Sequence, residues 1–243
     1  MTVDLTATEN AVTTAIQKAD RALWASYAAA FEGKPPPTGI CLQFARYTSG
    51  QTQCVRVSEQ EARFAVAAQL QAAGILFSIE TPTSMAYCLT GEGSRSAQTD
   101  LTIYSAHDAP FLNVEFKAGG VSSGRESVFP ISKDLQKIVR EERDAIWFHL
   151  LESVNNSTLL NLWQVLVDEL RRNVQEHGQK TKPKRLQIHI CVLRHQFAVQ
   201  RVLHLHPALV TEAWLTDMPM FEHEVSRSDL IRVGEANGWE VVR

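Results

Sequence analysis

The sequence predicts an α/β protein, in which strands and amphipathic helices follow one another, and three observations lead to that fold class. Apolar and polar residues alternate from Thr99 to Gly120, as in two paired strands. Residues 58–73 follow a helical pattern, with a capping signal at the start and Gly74 at the end. Residues 145–151 are nearly continuously apolar, as in a buried strand, and an apolar helix pattern follows them.

The central hairpin places two acids and a lysine on one face. The alternation assigns to the apolar face Leu101, Ile103, Leu112, Val114 and Phe116. It assigns to the polar face Asp100, Thr102, Asn113, Glu115 and Lys117. A turn centred between residues 107 and 108 sets Asp100 opposite Glu115. Two carboxylates on paired strands repel one another unless a cation lies between them, and their hard oxygens suit Mg²⁺ or Mn²⁺. A hairpin with a solvated polar face is the alternative.

The spacing of these residues resembles the signature of the PD-(D/E)xK nuclease superfamily. Asp100 matches the first acid, and fourteen residues separate it from Glu115-Phe116-Lys117, which matches the second acid and the lysine. Thr99 stands where the family name has proline. The resemblance covers about residues 58–193.

The resemblance implies a restriction-endonuclease-like fold, a mixed β-sheet core flanked by helices, and metal-dependent hydrolysis of phosphodiester bonds in DNA. The implied catalytic residues are Asp100, Glu115 and Lys117, with Lys117 orienting the attacking water. The implied ligands of Mg²⁺ or Mn²⁺ are Asp100, Glu115 and the carbonyl of Phe116. A nuclease-fold module that binds nucleic acid or a protein partner without cleaving is the alternative, and a structural subunit is a third class.

In such nucleases the helix before the first strand often carries an additional acid facing the metal, and Glu61 matches that position. Its place in a capping box with Ser58 explains Glu61 equally well. Glu80, at the end of the next strand, is a weaker candidate. That strand is expected to begin at residue 75 and to end before Pro82.

A later helix, predicted to begin at Ser132, has one basic side. The residues expected to contact nucleic acid there are Lys133, Gln136, Lys137 and Arg140. The three basic residues follow an i, i+4, i+7 spacing, which aligns them on a helix, and the resemblance places this helix beside the cleft. A solvated helix face is the alternative.

Three regions are predicted along the chain: an N-terminal helix and connector/hairpin extension (1–57), a nuclease-like core (58–206) and a folded C-terminal tail that packs on the core (207–243). The N-terminal helix is long, amphipathic and rich in alanine, and it ends at Gly33 before three prolines. The extension is interpreted as a packing or self-association element, with a homodimer as the assembly and DNA contact as a lesser alternative.

Composition excludes several classes of protein. Apolar residues make up 44% and charged residues 21% of the chain, which is typical of a folded globular protein. The net charge of -3 counts mildly against a dedicated nucleic-acid binder. The four cysteines are widely spaced, which favours reduced thiols in a cytoplasmic protein over a zinc site. No apolar stretch is long enough for a membrane span, and no signal peptide is expected.

Overall fold

A computed structural model describes residues 5–40, 42, 44–45, 54–55, 57–87, 95–106, 108–120, 125–152, 156–177, 185–194, 198–205 and 240–242. The helices are α1 (Leu5–Glu32), α2 (Glu59–Ala72), α3 (Arg125–Arg140) and α4 (Asn156–His177). The strands are β1 (Phe44–Ala45), β2 (Cys54–Val55), β3 (Leu76–Tyr87), β4 (Arg95–Ala106), β5 (Ala109–Ala118), β6 (Asp144–Glu152), β7 (Leu186–Leu193), β8 (Ala198–Leu205) and β9 (Glu240–Val242).

The main sheet has seven strands in the order β3-β4-β5-β6-β7-β8-β9, while β1 and β2 form a separate pair. The pairs β5–β6 and β6–β7 are parallel, and the other neighbours are antiparallel. α3 connects β5 to β6, and α4 connects β6 to β7. Both helices lie on one face of the sheet, as expected for two right-handed crossovers that advance in the same direction.

Helices cover both faces of the sheet. α1 and α2 pack on one face around Leu23, Leu70 and Val114. α3 and α4 pack on the other face around Leu135 and Trp163. The predicted class, an α/β protein with a mixed sheet flanked by helices and an N-terminal helix, is confirmed.

β4 and β5 form the hairpin that the alternation predicts. Leu101 pairs with Val114, and the same register continued by one residue sets Asp100 opposite Glu115. The apolar face is buried, as expected. The polar face is not solvated, because Glu115 is only 1% exposed beneath α3.

Two predicted boundaries are wrong. β3 continues through Pro82 to Tyr87. Because β3 is an edge strand, the missing N–H of Pro82 costs no bond to a second neighbouring strand. α3 begins well before Ser132 and contains Pro130. An interior proline removes the hydrogen bond to the carbonyl four residues earlier, and α3 nevertheless continues through Pro130.

α1 belongs to the same core as α2 and the sheet. Its buried apolar residues are Val12, Ala15, Ile16, Ala19, Leu23 and Tyr27. A buried polar contact of 2.7 Å between Asp20 Oδ2 and His189 Nε2 also ties α1 to β7. The apolar stripe of α1 is thus covered within the chain, and a homodimer remains a prediction only for the exposed side of this helix.

β9 pairs with β8 at the edge of the sheet opposite β3, so residues 240–242 belong to the main sheet. The rest of the predicted C-terminal tail (207–243) lies outside the described residues. Among the helices described, none combines the length and the apolar character that crossing a membrane requires.

Candidate active site

The acid on β4 is hydrogen-bonded to the backbone of the Glu-x-Lys triplet on β5. The Phe116 amide donates to Asp100 Oδ2 at 2.8 Å. Because Phe116 lies between Glu115 and Lys117, this bond holds the Asp100 carboxylate beside the triplet. One hairpin thus brings together the three residues predicted to be catalytic.

Glu115 is paired with a lysine from α3. Lys137 Nζ lies 2.8 Å from Glu115 Oε2 and 2.7 Å from Asp134 Oδ1, and it donates to the Gln98 carbonyl at 2.8 Å. An ammonium has three donors, so these three oxygens account for all of them. Only 4% of the Lys137 side chain is exposed. The expectation that Lys137 lies on an exposed basic stripe is wrong, because this side of α3 faces the sheet.

The other residues of the basic helix side are partly exposed. Lys133 and Gln136 are each partly exposed to solvent. The Arg140 guanidinium lies 4.8 Å from the centre of the Tyr87 ring. Contact of Lys133, Gln136 and Arg140 with nucleic acid stays a prediction.

Lys117 lies among carboxylates from both helix layers. Its ammonium is 2.6 Å from Asp134 Oδ2 on α3 and 3.4 Å from Glu59 Oε1 on α2. Asp134 contacts Lys117 with one oxygen and Lys137 with the other. This aspartate is therefore the link between the two lysines of the site.

Arg63 supplies a cation to Asp100. It lies on α2, and its guanidinium nitrogens are 3.1 Å from Asp100 Oδ1 and 3.2 Å from Glu80 Oε1. Glu80 has a φ of 52°, a left-handed backbone conformation that is uncommon for a non-glycine residue. The strand therefore departs from regular geometry where Glu80 meets Arg63.

Glu61 is used in the capping box of α2. Its carboxylate accepts a hydrogen bond from the Ser58 amide at 2.6 Å and another from the Ser58 hydroxyl. The acid of this helix that approaches Lys117 is instead Glu59. A metal role for Glu61 stays a prediction, and the capping role is observed.

The donor chemistry of the site fits a hard divalent cation. The charged groups in the cluster are five carboxylates (Glu59, Glu80, Asp100, Glu115 and Asp134) and three cations (Arg63, Lys117 and Lys137). Their formal charge, with all groups ionised, is -2, which a single divalent ion would balance. Among the described residues, no three acid, histidine or cysteine side chains converge as a ready ligand shell. Mg²⁺ needs fewer, because it usually binds through one or two carboxylates and keeps several waters.

Burial and ion pairing shift the pKa values of this cluster. Burial raises the pKa of Glu115 well above its usual range, against the opposing effect of the Lys137 ammonium. Burial by itself lowers the pKa of Lys117, but the Asp134, Glu59 and Asp100 carboxylates together outweigh burial and the net pKa is raised. Burial likewise opposes ionisation of Asp134, yet Lys137 and Lys117 hold its pKa below the usual value. Lys117 is therefore an ammonium at neutral pH, which can donate hydrogen bonds but not take up a proton.

Sequence reasoning missed Glu59, Arg63 and Asp134. The sequence around Arg63 and around Asp134 contains a pattern that could have indicated each residue. Arg63 shares a helical stripe with the buried residues Ala67 and Leu70, which indicates a cation turned toward the interior. Asp134 precedes Lys137 by one helical turn, the spacing of an ion pair.

Comparison of the chain with protein-family models, with curated proteins and with solved structures found no match.

Proposed function

We propose that this protein is a metal-dependent nuclease with a restriction-endonuclease-like core, acting on phosphodiester bonds in DNA. The observation that carries the proposal is the hydrogen bond from the Phe116 amide to Asp100. It joins the first acid to the Glu115–Lys117 triplet on one face of a central hairpin. The triplet lies near the carboxyl end of β5, which is parallel to β6, and sites in α/β sheets commonly lie at such ends.

Each residue of the cluster has a separate role in the proposed hydrolysis. Asp100, Glu115 and the carbonyl of Phe116 would hold Mg²⁺ or Mn²⁺. When bound, such an ion stabilises charge on the phosphate and on the leaving oxygen. Lys117 donates a hydrogen bond that orients the attacking water, and Asp134 positions Lys117. Without an ion, Arg63 neutralises the charge of Asp100 and Lys137 neutralises that of Glu115.

The experiment is an incubation of the protein with labelled single- and double-stranded DNA and RNA, in Mg²⁺ and in a chelator. Cleavage of DNA that requires the ion, and that is lost in Asp100→Asn, is the expected result. Asp168→Asn is the matched control, because Asp168 is an exposed acid on α4, away from the cluster. DNA that stays intact with Mg²⁺ and Mn²⁺, or that Asp100→Asn cuts at the parent rate, would contradict the proposal.

A nuclease-fold module that binds DNA without cutting it is the second candidate. The observation in its favour is that Arg63 and Lys137 already pair with the two acids. A protein of this kind binds labelled DNA, leaves it intact, and keeps the same melting temperature in millimolar Mn²⁺. A metal-dependent rise in melting temperature that Asp100→Asn removes would favour the nuclease instead.

A further inference from the structure

A cavity opens beside the acid cluster, between α2 and the edge strand β3. Its volume is ≈ 550 Å³, which is within the usual range for small-molecule sites. Arg63 and Glu80 line the cavity and also belong to the proposed active site. Arg63 thus lines the cavity and also contacts Asp100.

The wall of this cavity is aromatic and aliphatic. Phe64 on α2 and Ile79 on β3 both line it, and Ala67 lies one turn along the same helix. Phe64 is 64% exposed, more than any other large apolar side chain in the described part of the chain. Ile79 is 52% exposed. Packing within the described chain does not account for two large apolar side chains left open to solvent at the same cavity.

The charges at the cavity favour a neutral ring over a phosphate. Glu61 and Glu80 are acids, and the cavity's cation among the described lining residues, Arg63, already contacts Glu80 and Asp100. Against the lining residues that the structure describes, a phosphate would meet a net negative wall with no available counter-ion. A planar, uncharged ring can lie against Phe64, and its amino groups can donate to the carboxylates.

We propose that this cavity binds one unpaired nucleobase of the DNA strand whose neighbouring phosphate lies at the Asp100 side of the acid cluster. This inference rests on the proposed function, because the same strand must pass the acid cluster. A base enters such a cavity only when it leaves the duplex stack. The substrate class that follows is single-stranded DNA, or duplex DNA with unpaired bases.

The test compares binding to a labelled single-stranded oligonucleotide with binding to a blunt duplex of the same sequence. Both are measured with Ca²⁺ in place of Mg²⁺, so that a divalent ion balances the acid cluster, and the length of each DNA is checked afterwards. Phe64→Ala should weaken single-strand binding by about tenfold, the effect of one lost base stack. Binding to the blunt duplex should not change, and Phe64→Trp should retain single-strand binding. Leu160→Ala is the control, since Leu160 is an exposed apolar residue on α4, on the opposite layer. Melting temperatures verify that each variant is folded.

An equal loss on both DNAs, no loss on either, or no single-strand binding by the parent would overturn the proposal. If the cavity binds a base as proposed but the protein is not a nuclease, the results differ from these. The Phe64→Ala effect on single strands then persists, while the Mg²⁺ incubation leaves every DNA intact. Failure of the cavity and failure of the nuclease are therefore separate results.

Discussion

The surroundings of Lys117 decide which chemical role this side chain can take. Asp134 and Glu59 hold it as an ammonium, so it acts as a hydrogen-bond donor toward water or phosphate. We expect Lys117→Ala to lower the single-turnover cleavage rate by at least about a hundredfold, the scale of one lost transition-state donor. Folding should be nearly intact, because Asp134 keeps Lys137 as a partner. Lys18→Ala, an exposed lysine on α1, should cut normally. Cleavage at the parent rate would remove Lys117 from the mechanism.

Lys137 is the counter-ion of Glu115, and this pairing predicts how the site responds to metal. In Lys137→Met the buried Glu115 carboxylate loses its partner, which costs about 3–5 kcal/mol of unfolding free energy. A divalent ion restores the missing charge. We therefore expect this variant to melt below the parent in a chelator and to gain more from Mn²⁺ than the parent does.

Lys133→Met is the control for this experiment, because Lys133 lies one turn earlier on α3 and is partly exposed. It should melt like the parent with and without Mn²⁺. If Lys137→Met is as stable as the parent in a chelator and ignores the ion, Lys137 does not compensate the charge of Glu115.

The part of the site that lies on the β4–β5 hairpin was predictable from the alternation of apolar and polar residues. Period-two patterning fixes the shared face of Asp100, Glu115 and Lys117, because a hairpin register follows from its turn. It does not reveal that Arg63 and Lys137 neutralise these acids. Those contacts depend on how α2 and α3 are rotated about their axes when they pack, which local patterns do not determine.

At the scale of elements, a hydrogen bond from His149 on β6 to the residue that follows β5 links these two parallel strands beside the site. The Trp147 indole donates to His149 Nδ1 at 3.3 Å, so the proton of the neutral ring is on Nε2, which donates to the Gly119 carbonyl at 2.9 Å. A second proton on Nδ1 would face the indole N–H. Burial lowers the pKa of His149 to about 4 from an ordinary 6.5.

This shift predicts a dependence of stability on pH. The unfolded chain binds a proton at His149 below about pH 6.5, while the folded protein does not until about pH 4. The contribution of His149 to the unfolding free energy should fall by about 3 kcal/mol as the pH decreases through that window. Urea unfolding of the parent and of His149→Gln, measured across the window, isolates this contribution because other groups titrate in both. Parallel stability curves for the two proteins would show that His149 is not responsible.

Element boundaries were less predictable than element types. Pro82 does not interrupt β3, because an edge strand has a free side on which a missing donor costs nothing. Whether a strand lies at the edge is decided by the order of the whole sheet, so a window around Pro82 cannot reveal it.

At the scale of the whole molecule, α1 connects the start of the chain to the central strands. Its apolar stripe lies in the core with α2 and the sheet, and Asp20 contacts His189 on β7 within that core. From the sequence, a long alanine-rich helix followed by prolines is equally compatible with self-association. The structure assigns its apolar stripe to intramolecular packing, since the sheet has two faces and α3 and α4 cover only one.

Removal of residues 1–32 should therefore abolish cooperative unfolding rather than change the oligomeric state of a folded protein. Leu23→Ala tests the same packing with less disruption, and should cost about 2–5 kcal/mol because Leu23 is fully buried. Arg21→Ala, an exposed neighbour on α1, should change the unfolding free energy by less than about 0.5 kcal/mol. Urea unfolding gives these values, and light scattering gives the mass. If the truncated chain melts like the parent but forms a smaller oligomer, α1 serves self-association and not the packing of the core.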